Sequence, residues 1–294
     1  MYYRRKIILS LLQVFNNQLE KVSLQKLLFL FCKFQQKPIY HFVPFKYGCF
    51  SFQANADLST LTKYSQVDEE ENSWIKTDRA DYIRLLNKND KALIMLTKKL
   101  FGTKTKEELV KMTYLKYPYY AINSIIANKI LTKEDYEQIL KVKPTSLIES
   151  LFTIGYEGIT LEQYLNKLII NDVKILCDVR KNPISMKYGF SKNQLKNACE
   201  GVGIIYKHFP EVGIDSDKRQ QLNNQIDYDL LFDKYRTTIL PSQENTKKEL
   251  MLLLKSYKRI ALTCFEANIC QCHRKVLAES VVRMDESCSE IKHI

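Results

Sequence analysis

The alternation of strand-like and helix-like segments after residue 150 is the feature that most restricts the fold. Short apolar runs at residues 150–156, 173–180 and 259–265 predict buried strands, and "IIYKHF" and "EIKHI" predict two more. Helical patterns such as "TLEQYLNKLIIN" and "CHRKVLAESVV" lie between these runs. Strands that alternate with helices usually pair in parallel and carry helices on both faces. The second half therefore predicts an α/β domain with a parallel sheet and three layers.

The first half follows a different pattern. Apolar positions at helical spacing predict helices over residues 5–19, 23–34 and 78–100. The aromatic stretch "IYHFVPFKYGCFSF", with Gly48 at its bend, predicts a hairpin or wing. We therefore expect a mainly helical, winged-helix-like domain before the α/β domain.

Length and charge indicate two domains with different tasks. A chain of 294 residues exceeds what one core usually supports, and we place the domains at 1–146 and 147–294, with the boundary near Pro144. Residues 1–146 carry 24 Lys and Arg against 14 Asp and Glu, whereas residues 147–294 carry 21 against 19. This basic excess favours a polyanion such as DNA as the partner of the first domain. A generally lysine-rich composition explains it equally well.

Targeting and redox signals are weak. The longest apolar run, "LLFLF", is far below the roughly 20 residues that span a bilayer, so we expect no membrane partner. No small-residue cleavage site follows the basic start "MYYRRKIILSLL". The eight cysteines are scattered and do not form a disulfide framework. We expect reduced thiols and a cytoplasmic protein.

Polar residues cluster where the predicted strands end, which is where open parallel sheets bind their ligands. Asp178 and Arg180 end one strand, and Glu266 follows another. A predicted helix then opens at His273, where exposed backbone N–H groups favour an anion. We predict a single site at this edge. Its predicted catalytic residues are Asp178, Glu266 and His273, and its predicted phosphate- or substrate-binding residues are Tyr156, Arg180, Lys187, Tyr206 and Arg274.

Each of these residues also has a simpler interpretation. Asp178 and Arg180 share a face of their strand and can form a structural ion pair. Tyr206 shares a strand face with His208, for which a satisfied core histidine is the commoner outcome, and Lys187 can be a solvated loop lysine. What favours a functional site is that carboxylates and guanidinium groups come together, which suits a phosphate-bearing substrate and an acid/base step.

The cysteines of "CFEANICQCHRK" allow several chemistries. The spacing is not that of a haem attachment motif. Cys264, Cys270, Cys272 and His273 could bind zinc, but a second cysteine pair is missing, so we predict neither a metal nor another cofactor. Cys272 is a possible reactive thiol, because a helix N-terminus and Arg274 would lower its pKa.

Several motifs in order resemble the family called domain of unknown function 488 (DUF488). They are "LFTIGYEGITLEQYL", "CDVRKNPISMKYGFSKNQL", "GIIYKHFPEVG", "LFDKYRTTIL", "ALTCFEANICQCHRKVLAESV" and the terminal "KHI", and the resemblance extends over residues 150–294. The sequence departs from the usual pattern at Val212, where Leu is common, and at Met186 and Lys187, where a basic pair is common. The resemblance implies an enzyme directed at nucleic acid and associated with defence against foreign DNA.

The first half more faintly resembles the module at the start of Panacea-type and SocA-like antitoxin domains. The stretches that carry this resemblance are "VSLQKLLFLF" and "VPFKYGCFSFQANADLSTL". It implies a domain that binds protein or nucleic acid, over about residues 5–140, and no active site.

These observations lead to one main functional hypothesis and two alternatives. The main hypothesis is an antiphage DNA glycosylase that removes or processes modified bases in foreign DNA, with Asp178 or Glu266 as the carboxylate and His273 protonating the departing base. A non-catalytic protein that senses nucleic acid or a nucleotide would use the same anion-binding residues. A metal-dependent nuclease ranks lower, because the motifs lack a cluster of acidic residues suited to magnesium.

Overall fold

The computed structural model describes residues 1–215, 217, 222, 224–285 and 290–294. The chain divides into two compact units, Met1–Lys143 and Pro144–Ile294. None of the helices in these ranges is long and apolar enough to cross a membrane.

The first unit is mostly helical, as predicted. Its elements are α1 (Tyr3–Val14), β1 (Gln18–Glu20), α2 (Lys21–Phe34), β2 (Val43–Phe45), β3 (Gly48–Phe50), α3 (Phe52–Lys63), β4 (Val67–Glu69), β5 (Ser73–Lys76), α4 (Lys88–Phe101), α5 (Lys106–Lys116), α6 (Ala127–Ile130) and α7 (Lys133–Val142). The predicted aromatic hairpin is the β2–β3 pair, whose turn at Lys46 and Tyr47 leads into Gly48, which has a positive φ of 90°. The winged-helix comparison for this unit stays a prediction.

Two details of the first unit differ from the prediction. The helix expected over 78–100 begins only at Lys88, because Asn87 caps it by accepting a hydrogen bond from the Asp90 backbone N–H at 2.8 Å. A small antiparallel sheet of order β1-β5-β4 was not predicted. Its strands have three or four residues, which is too short to show a period of two.

The second unit alternates strands and helices, as predicted. Its elements are β6 (Ser150–Gly155), α8 (Leu161–Ile170), β7 (Ile175–Asp178), α9 (Lys192–Gly201), β8 (Ile205–His208), α10 (Gln225–Lys234), α11 (Leu240–Ser242), α12 (Glu244–Tyr257), β9 (Arg259–Cys264), α13 (His273–Val282) and β10 (Glu290–His293). The five strands form one parallel sheet of order β10-β6-β9-β7-β8. This confirms the α/β class and the parallel sheet.

Side chains of the central strands alternate between two helical layers. Ile175, Cys177 and Val179 pack with α12 and α13 in one apolar cluster. On the opposite face, Thr263 accepts a hydrogen bond from the Tyr164 hydroxyl of α8 at 2.7 Å. The sheet therefore lies between helices, and neighbouring residues of one strand belong to different layers.

Candidate functional site

The predicted site residues do lie at the carboxyl edge of the sheet, but on two different faces. Asp178 of β7 pairs in register with Thr263 of β9, so its side chain lies on the α8 face. Cys264, the next residue of β9, projects to the opposite face, toward α13. One edge therefore carries two separate clusters rather than the single site that the sequence predicted.

The first of these, here called the charged cluster, consists of Asp178, Arg180, Tyr206 and Tyr156. The Arg180 guanidinium donates to both Asp178 oxygens, from Nε to Oδ1 at 2.8 Å and from Nη2 to Oδ2 at 2.5 Å. The Arg180 backbone N–H donates to Oδ1 at 3.1 Å, and the Tyr206 hydroxyl donates to Oδ2 at 2.6 Å. Four donors therefore surround a carboxylate that has no exposed surface.

This geometry makes Asp178 a structural anion. A two-point contact between Arg and a carboxylate is among the stronger hydrogen-bonded pairs. Burial lowers the pKa of Arg180, but the hydrogen bonds and charge of Asp178 more than offset this and hold the pKa above its ordinary value. Burial, followed by the charge of Asp178, raises the pKa of the Tyr206 hydroxyl. Asp178 would have to break these bonds to attack a substrate, so the geometry favours the ion-pair interpretation over the catalytic one.

Tyr156 joins the charged cluster to an aromatic group. Its hydroxyl accepts from Arg180 Nη1 at 2.9 Å, so both Tyr156 and Arg180 are committed to internal contacts. The Tyr156 ring stacks on Phe190 at a centroid distance of 4.3 Å and meets the edge of Phe265 at 5.3 Å. The Phe265 side chain is 44% exposed, which makes it a surface aromatic residue at this edge that sequence reasoning missed.

Lys187 lies in the loop after β7 and is half-buried. Its ammonium donates to the Tyr156 backbone oxygen at 2.6 Å and lies over the Phe190 ring. Burial lowers the pKa of Lys187. The ammonium has three N–H donors and uses one of them in the bond to Tyr156. Lys187 can therefore also donate a hydrogen bond to a phosphate oxygen.

The second group, here called the thiol–imidazole cluster, consists of Cys264, Cys272 and His273. All three side chains are 1% exposed, and their candidate ligand atoms lie within 4.8 Å of one another. The His273 ring donates from Nε2 to the Val179 backbone oxygen at 3.1 Å, and its Nδ1 lies 3.8 Å from Cys264 Sγ. A ring enclosed in this way is not placed to protonate a departing base, which contradicts the predicted geometry for His273.

Burial raises the pKa of the Cys272 thiol instead of lowering it. The sequence predicted a thiol with a lowered pKa, but burial, followed by contact with Cys264, raises the pKa of Cys272 well above its ordinary value. Cys270, two residues earlier, is exposed. The helix N-terminus does not outweigh desolvation here, because the thiol is enclosed between β9 and α13.

The loop after β9 holds Glu266 and is fastened by Arg274. The Arg274 side chain is 2% exposed and donates to the backbone oxygens of Glu266 at 2.5 Å and Ala267 at 3.3 Å. Arg274 therefore positions the loop instead of facing solvent as a phosphate ligand. Gly155 allows the loop to approach β6, since a Cβ there would lie 1.9 Å from the Glu266 backbone oxygen. The Glu266 residue is half-exposed, and its Oε2 atom is buried.

The sequence model of the family described as domain of unknown function DUF488 matches residues 160–281. The second unit contains a DUF488 domain. The match includes Glu266, the thiol–imidazole cluster and the charged cluster except Tyr156, which precedes residue 160. The resemblance of the first unit to Panacea and SocA-like modules is not shown by this comparison and stays a prediction.

Searches of curated proteins and of solved structures gave no match to this chain.

Proposed function

We propose that the protein acts on nucleic acid and that its DUF488 domain hydrolyses the N-glycosidic bond of a modified base in foreign DNA, with Glu266 as the working carboxylate. The observation that carries this proposal is the contrast between two carboxylates at one sheet edge. Asp178 is buried and bonded to four donors, whereas Glu266 is half-exposed. Of these two carboxylates, Glu266 is the one whose residue reaches the surface, although its Oε2 atom is buried.

The surroundings of Glu266 suit a base and its phosphates. Phe265 precedes it and is 44% exposed, and an exposed ring can stack on a base that has left the duplex. Lys187 approaches the same edge through its contact with the Tyr156 backbone oxygen. A carboxylate, an aromatic ring and a lysine would serve the charge on the sugar, the flipped base and a phosphate, respectively.

The chemistry assigned to Glu266 is electrostatic and positional. As the bond between C1′ and the base nitrogen breaks, the base nitrogen keeps the electron pair and the sugar gains positive charge. A carboxylate stabilises that charge and orients a water molecule toward C1′. The water oxygen bonds to C1′, and a proton from the water ends on the released base.

The first unit supplies the attraction to DNA in this proposal. Residues 1–146 carry a net charge of +10, from 24 basic and 14 acidic residues. Lysine and arginine in excess bind the phosphate backbone without regard to sequence, and the binding weakens with salt. We therefore expect DNA affinity to fall steeply between low and physiological salt.

The test is product analysis on DNA of defined modification. Purified protein is incubated with unmodified and hypermodified phage DNA, with and without EDTA, and free bases and strand breaks are measured by mass spectrometry and denaturing gels. We expect release of a free base from modified DNA that survives EDTA. Glu266→Gln should bind DNA normally but release at least about 100-fold less base, whereas Glu200→Gln, on the exposed face of α9, should be unchanged.

Two other outcomes would replace this proposal. Binding without any product would favour the non-catalytic nucleic-acid or nucleotide sensor, an alternative that the internal pairing of Asp178 with Arg180 already favours. Strand breaks that EDTA abolishes would favour the metal-dependent nuclease. Among the described residues, the group of three or more side chains that could hold a metal contains no carboxylate, and magnesium prefers carboxylates.

A further inference from the structure

The thiol–imidazole cluster has no part in the proposed reaction, yet it collects three metal-ligating side chains at one point. Cys264 ends β9, Cys272 is the N-cap of α13, and His273 is the first residue of that helix. Seven residues separate the cysteines in the sequence, so ligand-spacing rules gave no clear signal. The fold supplies the proximity, because the loop after β9 returns the chain to the end of the same strand.

We propose that Cys264, Cys272 and His273 bind a zinc ion. The donor set of two thiolates and one imidazole is one that zinc accepts readily, and magnesium and calcium do not. The fourth position of a tetrahedral site remains for a water molecule or another group of the loop at residues 265–271.

The distances fit such a site with little movement. Zinc lies about 2.3 Å from sulfur and about 2.0–2.1 Å from a histidine nitrogen, so in a tetrahedral site the sulfur and nitrogen atoms lie about 3.6 Å apart and the two sulfur atoms about 3.8 Å apart. Cys264 Sγ and His273 Nδ1 are 3.8 Å apart. All three ligand atoms lie within 4.8 Å of one another. The described atoms therefore need shifts of less than about 1 Å to reach zinc-binding geometry.

The imidazole is held in the orientation that metal binding requires. A backbone carbonyl can only accept, so the contact between His273 Nε2 and the Val179 oxygen at 3.1 Å places the proton on Nε2. Nδ1 then presents a lone pair to the sulfur atoms. Histidines that bind metals commonly donate their other N–H to a carbonyl or carboxylate in this way.

Enclosure of the three side chains indicates a structural ion. Each is 1% exposed, and a metal ion that binds ligands brought together only by the fold stabilises the folded chain. Zinc would fasten the N-terminus of α13 to the end of β9 and hold the loop that carries Glu266. The inference rests on these contacts alone and does not depend on base release.

The first experiment measures the metal content of the full-length chain, produced in zinc-supplemented medium and purified without chelators under reducing conditions. We expect about one zinc ion per chain. Cys264→Ser, Cys272→Ser and His273→Ala should each weaken zinc binding by more than about 100-fold, since loss of an outer-shell partner alone costs 10- to 100-fold. Cys199→Ser replaces another buried cysteine, on α9, and should keep full zinc content.

A second measurement keeps the inference testable if these variants fold poorly. Zinc is removed from the wild-type chain by prolonged dialysis against a chelator, and Zn²⁺ or Co²⁺ is then added back. We expect the melting temperature to fall and recover, and Co²⁺ to give the absorption of a tetrahedral site with thiolate ligands. A folded wild-type chain that takes up neither metal would overturn the inference. So would a disulfide between Cys264 and Cys272 in the freshly purified protein, or undiminished zinc in folded variants.

Discussion

The charged cluster and the thiol–imidazole cluster lie at the same edge of one sheet but are built in opposite ways. In the charged cluster, Asp178 is bonded to donors from Arg180 and Tyr206 and needs no further partner. In the thiol–imidazole cluster, the 3.8 Å contact between Cys264 and His273 is a weak interaction between groups that a metal ion would join more strongly. Polar residues at strand ends can therefore satisfy one another or bring metal-ligating atoms close together, and the difference shows only in three dimensions.

The largest expected loss of stability comes from removing the negative charge of the charged cluster. Asp178→Asn leaves the Arg180 guanidinium buried without its counter-ion, and we expect a loss of about 3–5 kcal/mol in the free energy of unfolding. Denaturant unfolding followed by circular dichroism measures it. Glu200→Gln, which loses only an exposed partner at 3.9 Å, should change the stability by less than about 0.5 kcal/mol. A stable Asp178→Asn variant would show that the pair is not structural.

A smaller loss of stability is expected from a substitution at Gly155, where the loop after β9 passes β6. Gly155→Ala places a Cβ 1.9 Å from the Glu266 backbone oxygen, so the loop must move, at a cost of about 1–3 kcal/mol. We expect this variant to remain folded and to lose base release, because Glu266 shifts with its loop. Gly203→Ala has open space around the added Cβ but a φ of 83°, and it should lose stability without losing base release. Equal activity in both variants would contradict the assigned role of the loop.

Removing one hydrogen-bond donor from Asp178 should lower the free energy of unfolding by less than the two preceding changes do. Tyr206→Phe deletes the hydroxyl that donates to Asp178 Oδ2 at 2.6 Å and keeps the ring, so we expect a loss of about 1–2 kcal/mol in the free energy of unfolding. Tyr257→Phe, at a 40% exposed position, should have almost no effect. Similar losses in the two variants would mean that the Tyr206 hydroxyl contributes nothing specific.

The last prediction concerns the reactivity of two thiols, Cys270 and Cys272, and involves no expected change in stability. Cys270 is exposed, whereas Cys272 is 1% exposed, so a thiol reagent should label Cys270 and leave Cys272 intact in the native protein. The measurement uses a Cys288→Ser background, because Cys288 lies outside the described residues. Peptide mapping after brief labelling identifies the modified residue. Rapid labelling of Cys272 would restore the sequence-based prediction of a reactive thiol.

Much of the fold was predictable from the sequence because it depends on local patterns. The runs that became β6, β7 and β9 are apolar on both faces, as parallel strands are. The helix α8 begins with a capping box between Thr160 and Gln163. The short strands β4 and β5 were missed, since a few residues carry no measurable period.

The candidate site was harder to predict, because its members are joined by contacts between distant segments. Strand-end positions identified Asp178, Arg180 and Glu266 correctly as edge residues. They could not show that Asp178 and Cys264 face different layers, because that depends on the register between β7 and β9. Phe265 was overlooked, since an aromatic residue at the end of a buried strand gives no sign of exposure.

The most direct test of this account compares the two carboxylates in one series of measurements. The free energy of unfolding, DNA affinity and rate of base release are determined for the wild type, Glu266→Gln and Asp178→Asn. We predict that Glu266→Gln keeps wild-type stability and DNA affinity but releases at least about 100-fold less base, while Asp178→Asn loses stability. A stable Asp178→Asn variant without base release, beside a fully active Glu266→Gln variant, would contradict the assignment of Glu266 as the working carboxylate.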